Sequence, residues 1–255
     1  MTTHTALVPA TEPRRSVLDR GLAMRLAATE YDRYLAMLRR LPAEAWSLPT
    51  CNTGWDVTAM VRHTVGMTHM SASLVEQRTQ LKLASQRPGP LIDGLTAVQI
   101  ERNAHRSPEE LIDRLAEIAP KAVRGRRRTP GLIRSRTMPG PQPVAPGQTE
   151  PWTYGYLTDT ILTRDPWMHR SDLADATGVE LELTAEHDGV IVADVVQDWA
   201  SRHSAPYELV LTGPAGGTWS RGSGGERIER DAIEFCRILS GRGEGAGLLS
   251  VRVPF

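Results

Sequence analysis

A carboxylate and an imidazole, Asp165 and His169, stand four residues apart in TRDPWMHRSDL, and a further imidazole, His63, lies far upstream in WDVTAMVRHTVG. On an α-helix, side chains at i and i+4 project from one face about 5–6 Å apart, so Asp165 and His169 can close on one cation. An inward histidine from a second helix completes a set of two imidazoles and one carboxylate. Such a set leaves coordination positions open, as catalysis at a metal requires. The pattern predicts an open metal site inside a helical bundle.

The elements that must hold these residues are written in apolar periodicity. From Ser16, Leu18, Leu22 and Leu26, then Tyr31, Tyr34, Leu35, Leu38 and Leu41, recur at three- and four-residue steps, and Pro42 ends the run. SLPTCNTGWD reads as a loop. Asp56 is a candidate N-cap for a helix through VTAMVRHTVGMTHMSASLVEQ. On it Met60, His63, Met67, Met70 and Leu74 share a face, which puts His63 on the apolar side and His69 elsewhere. A weak helical pattern covers 93–104. In SPEELIDRLAEIAPKAV, Ser107 caps, Pro108 takes the first helical position, Glu110 closes a capping box, and Leu111, Leu115 and Ile118 form the inner stripe.

Residues 129–151 carry six prolines and three glycines without periodicity, the signature of a linker or of a loop over a site. WTYGYLTDTILTRDPWMHRSDLADATG then reads as a long helix ending at Gly178. Tyr154, Leu157, Ile161, Asp165, Met168, His169 and Asp172 follow one stripe of it. Four helices of this kind make a bundle, and bundle cores house metals between facing helices. After Thr184 the pattern changes: AEHDGVIVADVVQDWASRH is an amphipathic helix, YELVLTG a strand, GTWSRGSGGERIER a hairpin with a glycine-rich turn, DAIEFCRILSGR a helix ending at Gly241 and LLSVRVPF a final strand. The predicted organisation is a disordered stretch 1–15, a helical bundle 16–180 and a small α+β domain 185–255, mainly α overall.

Composition narrows the function classes. Thirty basic residues balance thirty acidic ones, so nothing in the charge points to nucleic acid or an anionic membrane. Two cysteines, Cys51 and Cys236, are too few for a disulfide scaffold. No apolar h-region opens the chain and no stretch is long enough to span a bilayer, so a soluble cytoplasmic protein is expected, monomer or homodimer. Plainer readings compete with the chemical ones. Asp165 before Pro166 is also a common helix start, His63 and His169 can be satisfied core histidines, and Trp55, Trp152 and Trp167 can pack the bundle. Cys51, in the loop before the His63 helix, can approach the metal but reads first as a small buried residue, Cys236 as a core residue and His105 as a surface one. Arg124, Arg126, Arg127 and Arg128 complement a helix C-terminus.

At CNTGWDVTAMVRHTVG, RDPWMHRSDLADATG and GERIERDAIEFCRILSGRGEG the chain resembles the mycothiol-dependent maleylpyruvate isomerase family, part of the wider DinB-like metal-binding bundles. The resemblance rests on a Cys-x-x-Gly-Trp-x-Val…His segment and an acidic-x-x-x-His-x-x-Asp helix. It implies a DinB-like four-helix bundle holding a divalent metal, usually zinc, through His63, Asp165 and His169, with a C-terminal α+β domain. It also implies mycothiol, the low-molecular-weight thiol of actinobacterial cytoplasm, as co-substrate. Isomerase members of the family carry Glu where this chain has Asp165. Asp is one methylene shorter, so a metal must sit closer to that helix or be differently coordinated.

A cation with three protein ligands can hold a thiol as thiolate, which then adds to an activated alkene, displaces a leaving group or opens an epoxide. The expected activity is mycothiol transfer to, or isomerisation of, a small electrophilic organic acid or xenobiotic. The alternatives are hydrolysis by a bound hydroxide and a non-catalytic regulatory module with a structural metal. Asp172, one turn beyond His169, is placed to orient that ring, and Arg170 lies where it can meet a substrate carboxylate or face solvent.

Overall fold

The computed structural model describes residues 12–255. In chain order its elements are α1 (Arg20–Leu38), α2 (Val57–Ala72), α3 (Leu74–Ala84), α4 (Leu91–Arg102), α5 (Pro108–Arg128), α6 (Gly131–Arg134), β1 (Gln142–Ala145), β2 (Gln148–Glu150) and α7 (Tyr154–Tyr156). A π-helical stretch, Leu157–Ile161, leads into α8 (Leu162–Thr177), and then come α9 (Val190–Ser201), β3 (Tyr207–Thr212), β4 (Gly217–Arg221), β5 (Glu226–Asp231) and α10 (Ala232–Leu239). Two compact units result. A helical unit comprises Arg20–Pro130 and Asp165–Leu181, and a mixed unit comprises the chain up to Asp19, Gly131–Arg164 and Glu182–Phe255. The segment 131–164, placed with the bundle from its sequence, thus groups with the C-terminal part of the chain.

Caps start α2 and α5 where the sequence places them. Asp56 has extended dihedrals and its carboxylate accepts from the Ala59 amide at 2.7 Å. Ser107 and Glu110 form the reciprocal capping box at the start of α5. The single helix expected from Val57 onward is instead two. Ser73 turns extended, and its hydroxyl caps α3 through the Glu76 amide. Leu74 is consequently 73% exposed rather than on the inner face. The core joins Tyr31, Leu35 and Leu38 of α1 with Met60, Val61 and Val65 of α2, Leu111, Leu115 and Ile118 of α5 and Leu173 of α8. Each such buried side chain contributes about 1.5–3 kcal/mol of transfer free energy, which fixes the four helices as the bundle. Gly66 is required where α2 meets α4, because a Cβ there would lie 2.5 Å from Cβ of Gln99.

In the mixed unit the chain departs from several expectations. Residues 1–11 of the predicted disordered stretch lie outside the described residues, but 12–15 include an ordered anchor. The Arg14 amide donates to the Pro151 carbonyl at 2.8 Å, and the Thr153 amide donates to the Arg14 carbonyl at 3.0 Å. The proline-rich segment is structured too, with α6 and an antiparallel β1–β2 pair in the register Gln142↔Glu150. The three-stranded sheet has the order β4-β3-β5, with β3 antiparallel to β4 and parallel to β5. The predicted β4–β5 hairpin is therefore absent. The glycine-rich segment carries the chain from one edge of β3 to the other, and alternation within a strand cannot say which edge it will choose. The expected final strand is also absent. Gly247–Ser250 is a 3-10 turn, and Leu248, Leu249, Val251 and Val253 are all buried. Among the described residues no helix is long and apolar enough to cross a membrane.

Trp199, fully buried, centres this unit's aromatic packing. Its ring lies 4.6 Å from His203, 4.9 Å from Tyr207 and 5.5 Å from Phe235. Burial and the Arg221 guanidinium, whose Nη2 is 3.0 Å from Nδ1 of His203, push the His203 imidazole down to about 4. The unfolded chain takes up that proton below the ordinary 6.5, the folded chain only near 4. Stability from this group is therefore complete above pH 6.5 and lost as pH falls towards 4. Between pH 7 and 5 the wild-type melting temperature should fall about 3–5 °C further than that of His203→Gln, and equal falls would refute the assignment.

Candidate metal centre

Every residue of α8 from Leu162 to Leu173 is buried except Asp165, which keeps 19% of its side chain exposed. Asp165 lies within the helical stretch that begins at Tyr154, so it is not an N-cap, and the π-helical turn Leu157–Ile161 precedes Pro166. π-Turns of this kind frequently mark functional sites. One turn on, Nε2 of His169 is 3.6 Å from Oδ1 of Asp165. From α2, Nε2 of His63 approaches the same oxygen at 3.5 Å. One donor atom from each of the three residues lies within 4.8 Å of the others. Both histidines are buried, and their rings stand edge to face with centroids 5.3 Å apart. These residues can hold a cation, and the described residues bring all three together.

The surroundings of the triad are polar and specific. Asp172 is buried, and its Oδ2 lies 3.2 Å from Nδ1 of His169. A carboxylate only accepts, so the imidazole carries its proton on Nδ1 and turns the Nε2 lone pair towards Asp165. The other oxygen of Asp172, Oδ1, accepts from the Cys51 thiol at 3.1 Å. Nδ1 of His63 is buried and makes no hydrogen bond among the described residues. Below the triad, the buried Tyr34 hydroxyl is 3.1 Å from Oγ1 of Thr64, which itself donates to the Met60 carbonyl. Burial first, then the Asp165 and Asp172 charges, push the Tyr34 hydroxyl far above its ordinary range, so it stays a protonated donor.

Three residues differ from their sequence reading. Arg170 does not face solvent. It is buried, with Nε and Nη2 donating to Glu30 at 2.8 and 3.1 Å, because the next position after His169 on a helix buried all round points into the bundle. Cys51 is exposed rather than buried, whereas Cys236 is buried as expected. Trp55 does more than pack the bundle, since its ring lies 5.3 Å from that of His63 and 6.1 Å from that of His169. The loop explains both. The Thr50 amide donates to the Trp55 carbonyl, the Trp55 amide to the Asn52 carbonyl, and Gly54 adopts φ +80°. This tight turn delivers Cys51 and Trp55 to the start of α2. The sequence signal was the Cys-Asn-Thr-Gly-Trp run directly before the cap.

Residues 27–174, which include this whole constellation, match the family model described as the mycothiol maleylpyruvate isomerase N-terminal domain. The chain belongs to this family. The chain is also similar to two uncharacterized proteins of Mycobacterium tuberculosis, from strains CDC 1551 / Oshkosh and ATCC 25618 / H37Rv. Each is 24% identical over 226 residues, which is 84% of this chain and 82% of the relative. The fold is similar to the crystal structure of the mycothiol-dependent maleylpyruvate isomerase, with a TM-score of 0.55 and 15% identity over 90% of this chain and 92% of that one. A histidine-to-alanine mutant of that isomerase gives a TM-score of 0.56 at 13% identity, with the same coverage. The helical bundle followed by an α+β portion is thus the architecture of this family member as well as the one read from its sequence.

Proposed function

We propose that this chain is a metal-dependent enzyme that uses mycothiol, or a closely similar low-molecular-weight thiol, to transfer to or isomerise a small electrophilic organic acid. The observation that carries the reading is the convergence of His63, Asp165 and His169 on one point that reaches solvent. Their two close separations, 3.5 and 3.6 Å, are longer than ordinary N–H···O bonds. They match the ~3.4 Å edge of a tetrahedron of ligands about 2.0–2.1 Å from a zinc ion. Two imidazoles and a carboxylate suit zinc and leave room for a fourth ligand, whereas a purely structural zinc usually takes four from the protein. Family membership supplies the thiol, by way of the mycothiol-dependent isomerase whose fold this chain shares.

Bound there, a divalent ion would supply Lewis acidity that favours the deprotonated form of an incoming thiol. The chain's own residues do the rest. His63, Asp165 and His169 would hold the ion, and Asp172 fixes the His169 ring and its tautomer. The half-buried Trp55 ring, set against both imidazoles, limits water beside them and offers an apolar face to a conjugated substrate. Arg170, paired with Glu30, would hold α8 in place.

The test combines metal analysis with thiol kinetics. Purified protein should hold about one zinc per chain. It should consume mycothiol in the presence of maleylpyruvate-like or other electrophilic acids, and a chelator should stop this without unfolding the chain. Turnover of ester or amide substrates with no thiol requirement would instead establish a hydrolase. Unfolding on chelation, with no turnover at all, would establish a structural metal.

A further inference from the structure

Asp172 divides its two oxygens between different partners. Oδ2 takes the His169 ring nitrogen at 3.2 Å, and Oδ1 takes the thiol of Cys51 at 3.1 Å. The aspartate is buried to 1% exposure while the cysteine lies at the surface, so the thiol is the end of this chain that meets solvent. The Cβ–Cγ torsion of a carboxylate is broad and soft, so each donor on it narrows its orientation. The thiol on Oδ1 helps to hold Oδ2 towards the imidazole. The turn that carries Cys51 is closed by its own hydrogen bonds, Thr50 to Trp55 and Trp55 to Asn52, and bridges Pro49 to Asp56 at the start of α2. The α2 helix also carries His63. A single tight loop therefore ties the anchor of one histidine to the helix that bears the other.

We propose that Cys51 is a positioning residue of the metal centre, acting through Asp172 to hold His169 in its ligating tautomer and orientation. The proposal rests on the metal-centre reading above and extends it by one hydrogen bond outward. Partners that hydrogen-bond a ligand directly set metal affinity by about 10–100-fold, and a donor one bond further out should act more weakly. What matters is the S–H donor, not the bulk of the sulfur, so a hydroxyl should substitute for it.

The experiment compares wild type, Cys51→Ala and Cys51→Ser by zinc competition with a chromophoric chelator. It adds the ¹⁵N NMR signals of the His169 ring in metal-free protein. Cys51→Ala should weaken zinc binding by about 3–10-fold and move the His169 ring signals towards a mixture of tautomers. Cys51→Ser should stay within about twofold of wild type and keep the wild-type signals. Melting temperatures should agree across all three, because the side chain is exposed. Wild-type affinity and ring signals in Cys51→Ala would overturn the proposal, and so would a loss in Cys51→Ser as large as in Cys51→Ala. If wild type binds no zinc, the metal-centre reading fails with it. The metal-free NMR comparison still reports separately whether Cys51 holds His169 through Asp172.

Discussion

Replacement of His169 or His63 by alanine should strip the metal from the protein. Zinc content is expected to fall from about one per chain to near zero, with affinity reduced by more than ~100-fold, because a two-ligand remnant cannot enclose the ion. Thiol-dependent turnover should fall in parallel, by at least ~10³-fold. The fold should persist. Neither imidazole is a member of the apolar cluster of Tyr31, Met60, Leu115 and Leu173. The check is elemental analysis alongside circular dichroism and a melting curve. Retention of stoichiometric metal by either variant, with helicity intact, would remove that histidine from the ligand set. Loss of helicity would assign it to packing instead.

The second large effect concerns stability. Glu30 on α1 and Arg170 on α8 form a bidentate ion pair, with side chains 0% and 1% exposed. Removing one side of such a pair takes the bidentate partner from a buried charge, at a cost of about 3–5 kcal/mol. Arg170→Ala or Glu30→Ala should therefore lower the melting temperature by roughly 10–15 °C, where a surface ion pair would cost almost nothing. The Arg87–Glu101 pair, exposed on both sides, is the natural control, and Glu101→Ala should leave the melting temperature unchanged within about 2 °C. The double replacement Glu30→Leu with Arg170→Met should recover much of the loss, since a buried ion pair can be exchanged for apolar packing. An Arg170→Ala protein that melts like wild type but no longer turns over substrate would return Arg170 to the catalytic role first suggested by its sequence position.

How far the sequence reads depends on the range of the interaction. Helix starts rest on hydrogen bonds within one turn, so the Asp56 cap and the Ser107–Glu110 box were legible residue by residue. The i, i+4 relation of Asp165 and His169 is set by helical pitch, and the family motifs pointed to His63 as their partner. The break at Ser73 was missed because apolar periodicity ran on through Leu74, while a serine that caps the next helix leaves no trace in that pattern. The sheet was misread for a different reason. β4 and β5 each carry strand character, but their common partner is β3, and pairing is a long-range choice that alternation does not encode.

The site divides in the same way. From the sequence, by residue types, spacing and family motifs, came the mainly helical class, the bundle with its α+β continuation, the three metal-ligating candidates and Asp172 as the orienting group. Tertiary structure alone decided that Arg170 turns inward to Glu30, that Trp55 lies against both imidazoles, and that Cys51 surfaces beside Asp172. Local pattern fixes the angle at which a side chain leaves its own helix. Which partner waits in that direction is set by how separate segments pack, and no short window of sequence contains both.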